Sequence, residues 1–151
     1  GVIYTKEIQE KEMLEDDKLV LKTLEIIKYF NPHYWFIENP ASSRMKDRPF
    51  MKDLNNYLVD YCMYSNWGYR KRTRIWTNRT DFEPKLCNGS GDCGNMIKNI
   101  HKSNCGNTER LQRAKHILES QNGSNKNICK GTTQQDRYRI PEDLIFSLFL
   151  E

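Results

Sequence analysis

No stretch of this 151-residue chain approaches the roughly 20 apolar residues that a bilayer-spanning helix needs, and its amino terminus lacks the basic-then-apolar pattern of a secretory signal. No internal repeat is visible. The five cysteines, Cys62, Cys87, Cys93, Cys105 and Cys129, are an odd number. That argues against a closed disulfide framework and for reduced thiols or metal ligation. Three Asn-x-Ser/Thr sequons, at Asn78, Asn88 and Asn122, carry no weight without a secretory context. Together these absences imply a soluble, intracellular protein that is neither secreted nor bound to a membrane.

What is present suffices for one domain with a modest core: 37% hydrophobic residues, with six Phe, eight Tyr and three Trp. The net charge of +4 is unevenly spread. Residues 1–40 carry 5 basic and 8 acidic groups, whereas residues 41–80 carry 9 basic and 3 acidic. A basic surplus concentrated in one stretch is the footprint of a surface that binds a polyanion.

Two stretches carry the chemical signal. The apolar run Tyr34 to Ile37 reads as a buried strand that leads straight into Glu38-Asn39-Pro40. A carboxylate at the carboxyl end of such a strand sits at the rim of an open α/β sheet, where ligands bind. About thirty residues on, Trp67-Gly68 is followed by Arg70-Lys71-Arg72-Thr73-Arg74 and the strand-like Ile75-Trp76-Thr77. Alternation along a strand puts Arg72 and Arg74 on one face, so both guanidinium forks can address one anionic or carbonyl-rich ligand. The plainer alternatives are a capping or surface carboxylate for Glu38 and a charge-protected edge strand for the arginines.

A helix is expected from about Lys11 to Phe30, with Met13, Val20, Leu24 and Ile27 on one stripe, Leu21 beside it, and Asn31-Pro32 as its stop. A short helix near Pro49 to Asn55, an alternating strand from Tyr57 to Tyr64 and a strand at Ile75 to Thr77 follow, which argues for a parallel βαβ layout. Cys62 falls in the alternating strand and reads as a small buried hydrophobe. From Asp81 to Asp136 the chain becomes a Gly, Asn, Cys and Lys mixture with helical periodicity only over Glu109 to Glu119. A closing helix is expected over Arg139 to Leu150, with Pro141 in its first turn and Leu144, Ile145, Leu148 and Phe149 facing inward.

The motifs, taken together, resemble those of the DNA cytosine-5 methyltransferase family: Glu38-Asn39-Pro40, Trp67-Gly68, then Arg72-Thr73-Arg74-Ile75. The Pro variant and Arg74-Ile75-Trp76-Thr77-Asn78 look like its viral and phage branch, and Arg139-Ile140-Pro141-Glu142-Asp143-Leu144-Ile145 is similar to the closing helix of such proteins. The resemblance implies a partial Rossmann-like methyltransferase sheet of about three strands with flanking helices, plus an irregular Cys/Gly/Asn-rich insert. Residues 1–79 would be the second half of the catalytic domain, 80–136 a target-recognition or zinc-binding region, and 137–151 a helix packing back on that domain.

The resemblance also implies roles. In this chemistry a cysteine thiolate adds to carbon 6 of an extruded cytosine, and carbon 5 then takes the methyl group of S-adenosylmethionine. Glu38 would hold ring nitrogen N3, with Asn39 and Pro40 shaping the turn. Arg74 would contact the base, Arg72 would support the site, and Arg70 and Lys71 would touch DNA phosphates. The sequence departs from the family in having no Phe-x-Gly-x-Gly turn for the cofactor and no Pro-Cys nucleophile loop. The expectation is therefore the carboxy-terminal half of a methyltransferase domain that works with an amino-terminal half, in cis or as a separate chain, and is inactive alone. The alternatives are a non-catalytic nucleic-acid-binding or regulatory relative, and an amino-group methyltransferase using Asn39-Pro40, against which Ala41-Ser42 argue. Separately, Cys87, Cys93, Cys105 and Cys129, with His101 and His116 nearby in sequence, supply enough soft donors for zinc.

Overall fold

Helix α1 (Lys6–Phe30) starts where Thr5 can cap it, the threonine side chain accepting from the Ile8 amide, more than one turn before the expected start. Asn31 closes it in the left-handed conformation (φ 43°), its amide donating to the Ile27 carbonyl, and Pro32 prevents continuation. A computed structural model describes residues 5–97, 99–103 and 132–150. The expected stripe of Met13, Val20, Leu24 and Ile27 is half-buried, joined by Ile8 and Asp17, while Leu21 is exposed. Arg48 anchors the helix by pairing with Asp17 and, at 3.5 Å, with Glu10. No helix among the described residues is long and apolar enough to cross a membrane.

Three strands form the main sheet: β1 (Phe36–Pro40), β2 (Asn56–Asp60) and β3 (Arg72–Thr77), in the order β1-β3-β2 and antiparallel at both pairings. The mixed helix and strand content agrees with an α/β reading, but the pairing corrects the expected parallel layout. A parallel return needs a crossover of about a dozen residues or more, usually helical. The chain between β2 and β3 holds only a 3-10 turn, Tyr61–Met63, so β3 doubles back and lies between its two predecessors. Strands β1 and β2, each antiparallel to β3, do run parallel to one another. Their connection carries a 3-10 turn (Arg44–Asp47) and helix α2 (Pro49–Lys52), the latter shorter than expected.

Two further boundaries move. The strand expected to run to Tyr64 stops at Asp60, and Cys62 lies in the turn that follows, where Tyr64 donates to the Tyr61 carbonyl at 3.0 Å. Strand β1 continues past Glu38 to Pro40, so the glutamate is mid-strand, not at its end. The register explains how a proline fits. Ala41 donates to the Arg72 carbonyl, which makes Pro40 opposite Thr73 a non-hydrogen-bonded position on a strand that lies at the sheet's edge.

Val59, Tyr61, Tyr64, Ile75, Phe82, Leu144 and Leu148 make the core, with Phe36, Tyr57, Met63 and Trp67 packed against it. Fully burying one such aliphatic side chain is worth about 1.5–3 kcal/mol. Leu144 and Leu148 come from helix α4 (Glu142–Phe149); Pro141, expected inside its first turn, is instead the extended residue that precedes it (φ −60°, ψ 135°), which delays the start. Eight residues bury one stripe only. Ile145 and Phe149, expected inside, are 41% and 53% exposed, although the Phe149 ring meets Phe36 edge-on at 4.7 Å. Helix α3 (Gln134–Tyr138) precedes it, opened by a capping box between Thr133 and Asp136. A second small sheet pairs β4 (Met96–Ile97) with β5 (Ile100–His101). The periodicity over Glu109 to Glu119, together with Cys105, His116 and Cys129, lies outside the described residues.

Candidate functional site

A cleft of about 900 Å³ opens at the end of the main sheet. One wall is Glu38 to Ser42, a second is Arg70 to Arg72, and a third comes from α3 through Gln134, Arg137 and Tyr138. Four cations, Arg70, Lys71, Arg72 and Arg137, face a single carboxylate, Glu38. Six of the seven sequence-nominated catalytic and substrate residues therefore line one space. Arg74 does not. Arg72 and Arg74 share the face of β3 opposite to Glu38, which pairs with Ile75 in the register, but Arg72 is the first residue of the strand and reaches the cleft at the sheet's end, whereas Arg74 lies two residues further in. Arg74 donates to Asn56, lies 5.9 Å from the Trp76 ring centroid, and has a buried Nε with no partner among the described residues.

Glu38 is held by two donors on one oxygen: the Tyr61 hydroxyl at 3.0 Å and the Lys71 ammonium at 3.1 Å. Burial, followed by the charge of Glu38, pushes the Tyr61 phenol far above its ordinary value, so the hydroxyl stays a donor. Lys71 also donates to the Arg137 carbonyl at 3.0 Å and sits 4.6 Å over the Tyr61 ring, leaving its side chain 12% exposed. That ammonium is thus committed inside the cleft wall.

The arginines meet on Asp60, a residue absent from the sequence reading. Its carboxylate is fully buried. Oδ1 accepts from Arg70 Nε at 3.1 Å and Arg72 Nε at 3.0 Å; Oδ2 accepts from Arg72 Nη2 at 2.8 Å and the Cys87 amide at 2.9 Å. Burial works against the charge, but the Arg72 and Arg70 hydrogen bonds and the Cys87 amide outweigh it and lower the pKa. Asp60 sits directly across from Arg72 in the strand register, a pairing visible only once β2 and β3 are aligned. Also missed were Gln134, Arg137 and Tyr138; the Thr133-x-x-Asp136 capping box was the signal that could have located their helix.

A second cluster adjoins the arginines. The donor atoms of Cys62, Cys87, Cys93 and His101 all lie within 4.8 Å of one another. Cys87 Sγ and Cys93 Sγ are each 3.7 Å from His101 Nε2. Burial pushes the Cys62 thiol up, with Cys87 and Cys93 adding to the effect, and burial lowers the His101 imidazole, with Arg70 acting the same way. Of the four cysteines the sequence nominated, Cys87 and Cys93 are brought together; Cys105 and Cys129 lie outside the described residues.

One relative bears on that geometry. A Frog virus 3 (isolate Goorha) protein named as a probable DNA (cytosine-5)-methyltransferase is 37% identical over 148 residues, which is 98% of this chain. Over nearly its whole length the chain is similar to this viral protein. It spans less than two thirds of that relative, 63% of its length. No family model and no solved structure matches the chain.

C5-cytosine methyltransferases use S-adenosylmethionine, which carries a sulfonium cation. The cleft does not suit it: four cationic side chains against one carboxylate would repel the sulfonium centre, and no glycine lines the space. The same lining suits a nucleotide, whose phosphate is anionic and whose base edge offers donors and acceptors to a carboxylate.

Proposed function

We propose that this chain forms the target-base portion of a DNA cytosine-5 methyltransferase, its antiparallel strands being part of a Rossmann-like methyltransferase sheet. One observation carries the reading: Glu38 and Arg72, on neighbouring strands but more than thirty residues apart in sequence, line the same cationic cleft. A cytosine extruded from the duplex enters with its polar edge toward Glu38. Tyr61 and Lys71 both bond Oε1, which leaves Oε2 for the base and fixes the carboxyl plane in advance. Arg72, locked by its fork on Asp60, stabilises charge on the ring, while Arg70 and Arg137 at the cleft meet the flanking phosphates. Arg74, whose buried Nε has no partner among the described residues, would meet the base only after a local rearrangement.

S-adenosylmethionine supplies the methyl group in this reaction, and the cysteine nucleophile and cofactor turn come from a segment other than these residues. A chimera joining the chain to the segment of the Frog virus 3 relative that it does not span tests this directly. With labelled S-adenosylmethionine and DNA, the chimera yields 5-methylcytosine on nucleoside analysis and the chain alone yields none. Methyl groups on the exocyclic amino nitrogen would overturn the cytosine-5 assignment. DNA binding by the chimera with no transfer at all would favour the non-catalytic, DNA-binding reading instead.

A further inference from the structure

We propose that Cys62, Cys87, Cys93 and His101 bind one zinc ion in a closed tetrahedral site that ties the 87–103 segment to the main sheet. Zinc with Zn–S near 2.3 Å and Zn–N of about 2.0–2.1 Å places sulfur and nitrogen about 3.6 Å apart and two sulfurs about 3.8 Å apart. Two of the three sulfur–nitrogen separations, from Cys87 and Cys93, are 3.7 Å, and all four donor atoms fall inside a 4.8 Å span. Three thiolates and an imidazole, with no oxygen donor among them, select zinc over calcium or magnesium. Four protein ligands leave no open position, which marks the site as structural.

The ligands come from four places: the turn after β2, an irregular run, the loop before β4, and β5. Their backbones are fixed independently of any ion. Asn95, itself buried, donates through Nδ2 to the carbonyls of Cys62 at 2.8 Å and Cys93 at 2.9 Å and accepts the Gly68 amide at 2.8 Å. The Cys87 amide is held by Asp60. Such outer contacts orient metal ligands and are worth about 10–100-fold in affinity. The segment also needs a staple. Beyond Phe82 and Cys87, the stretch from 81 to 103 buries no hydrophobic side chain, and its only regular structure among the described residues is two strands of two residues each. Through Cys87 and Asp60 the ion is two residues removed from Arg70 and Arg72, so it steadies the arginine wall of the cleft without touching it.

The full chain, expressed with zinc and purified without chelator, should carry one zinc per chain by elemental analysis. Cobalt exchanged into it should give the intense visible bands of tetrahedral cobalt and a sulfur-to-cobalt charge-transfer band. Cys93→Ser and His101→Ala should raise the zinc dissociation constant by more than about 100-fold, and Asn95→Ala by about 10–100-fold. Cys105→Ser and Cys129→Ser should leave both stoichiometry and the cobalt spectrum unchanged. The proposal is overturned by wild-type protein that takes up no zinc when titrated, by loss of the ion in the Cys105 or Cys129 variants, by octahedral cobalt, or by a disulfide joining two of the three cysteines. If Cys62→Ser fails to fold, the cobalt spectrum of the wild-type chain and the half-buried Cys93 still decide the matter.

Discussion

Replacing Asp60 with asparagine changes almost no volume yet should be among the costliest polar substitutions in the chain. Asp60 accepts four donors, two on each oxygen. An asparagine keeps one oxygen and turns an NH2 toward the other pair, so whichever way the amide faces, two donors lose their acceptor. If the NH2 replaces Oδ1, the losers are Arg70 Nε and Arg72 Nε. These side chains are 37% and 40% exposed and can recover part of the loss from water. If it replaces Oδ2, the buried Cys87 amide is left facing another donor. Hydrogen bonds to charged groups contribute about 1.5–3 kcal/mol each, so after discounting for solvent access to the arginines the expected loss is about 2–3 kcal/mol. At roughly 2–4 °C per kcal/mol for a chain of this size, that is a fall in Tm of about 4–12 °C. Urea denaturation of wild type, Asp60→Asn, Arg72→Met and the double variant measures it. The coupling between the two positions should reach about 1–2 kcal/mol. A single-variant loss below about 0.5 kcal/mol, in the range of an ordinary surface change, would refute the view that Asp60 organises this wall.

Gly68 has φ 82°, and a Cβ there would lie 3.3 Å from Lys102 Cβ. Gly68→Ala should therefore cost about 1–2 kcal/mol by denaturation, and an effect near zero would contradict the tight approach of the 66–69 turn to the 102–103 segment. Tyr61→Phe removes a bond to Glu38 worth about 1 kcal/mol at neutral pH. Because the folded phenol holds its proton well above the ordinary value, Tyr61 lends stability that is fully present below about pH 10, where the unfolded phenol ionises, and is lost as the pH rises further. Stability measured from pH 8 upward should fall less steeply for the Phe variant; parallel curves would show that Tyr61 titrates normally. In the chimera, Arg70→Ala should reduce the salt slope of DNA binding by about one unit with little change in sequence preference. An unaltered slope would remove Arg70 from the phosphate contacts.

The local signals in the sequence transferred well and the long-range ones did not. Asn31-Pro32 ends α1 because a left-handed cap and a proline are local requirements, and Leu144 and Leu148 face inward because the 3.6-residue period is local too. The same held for the clustering of Glu38 with Arg70, Lys71 and Arg72 in one cleft, since a shared motif carries its spatial relation with it. Pairing direction was illegible, because strand-like runs at βαβ spacing do not reveal that the third returns between the first two. Asp60 looked like an ordinary residue in an apolar run until its register with Arg72 was known. Cys62 was hidden for the opposite reason: in an alternating pattern a ligand thiol and a core thiol read alike, and only the fold brings it to Cys87, Cys93 and His101.

The most direct test of the account is single-turnover methyl transfer by the chimera carrying Glu38→Gln, at saturating DNA and S-adenosylmethionine. An amide of the same shape keeps a hydrogen bond to Tyr61 but loses the carboxyl group that meets the polar edge of the base. The expected result is a rate lowered by about 10²–10⁴-fold, with folding stability and affinity for DNA and cofactor near those of the parent. A Glu38→Gln chimera that methylates cytosine at the parental rate would contradict the assignment of this cleft to the target base.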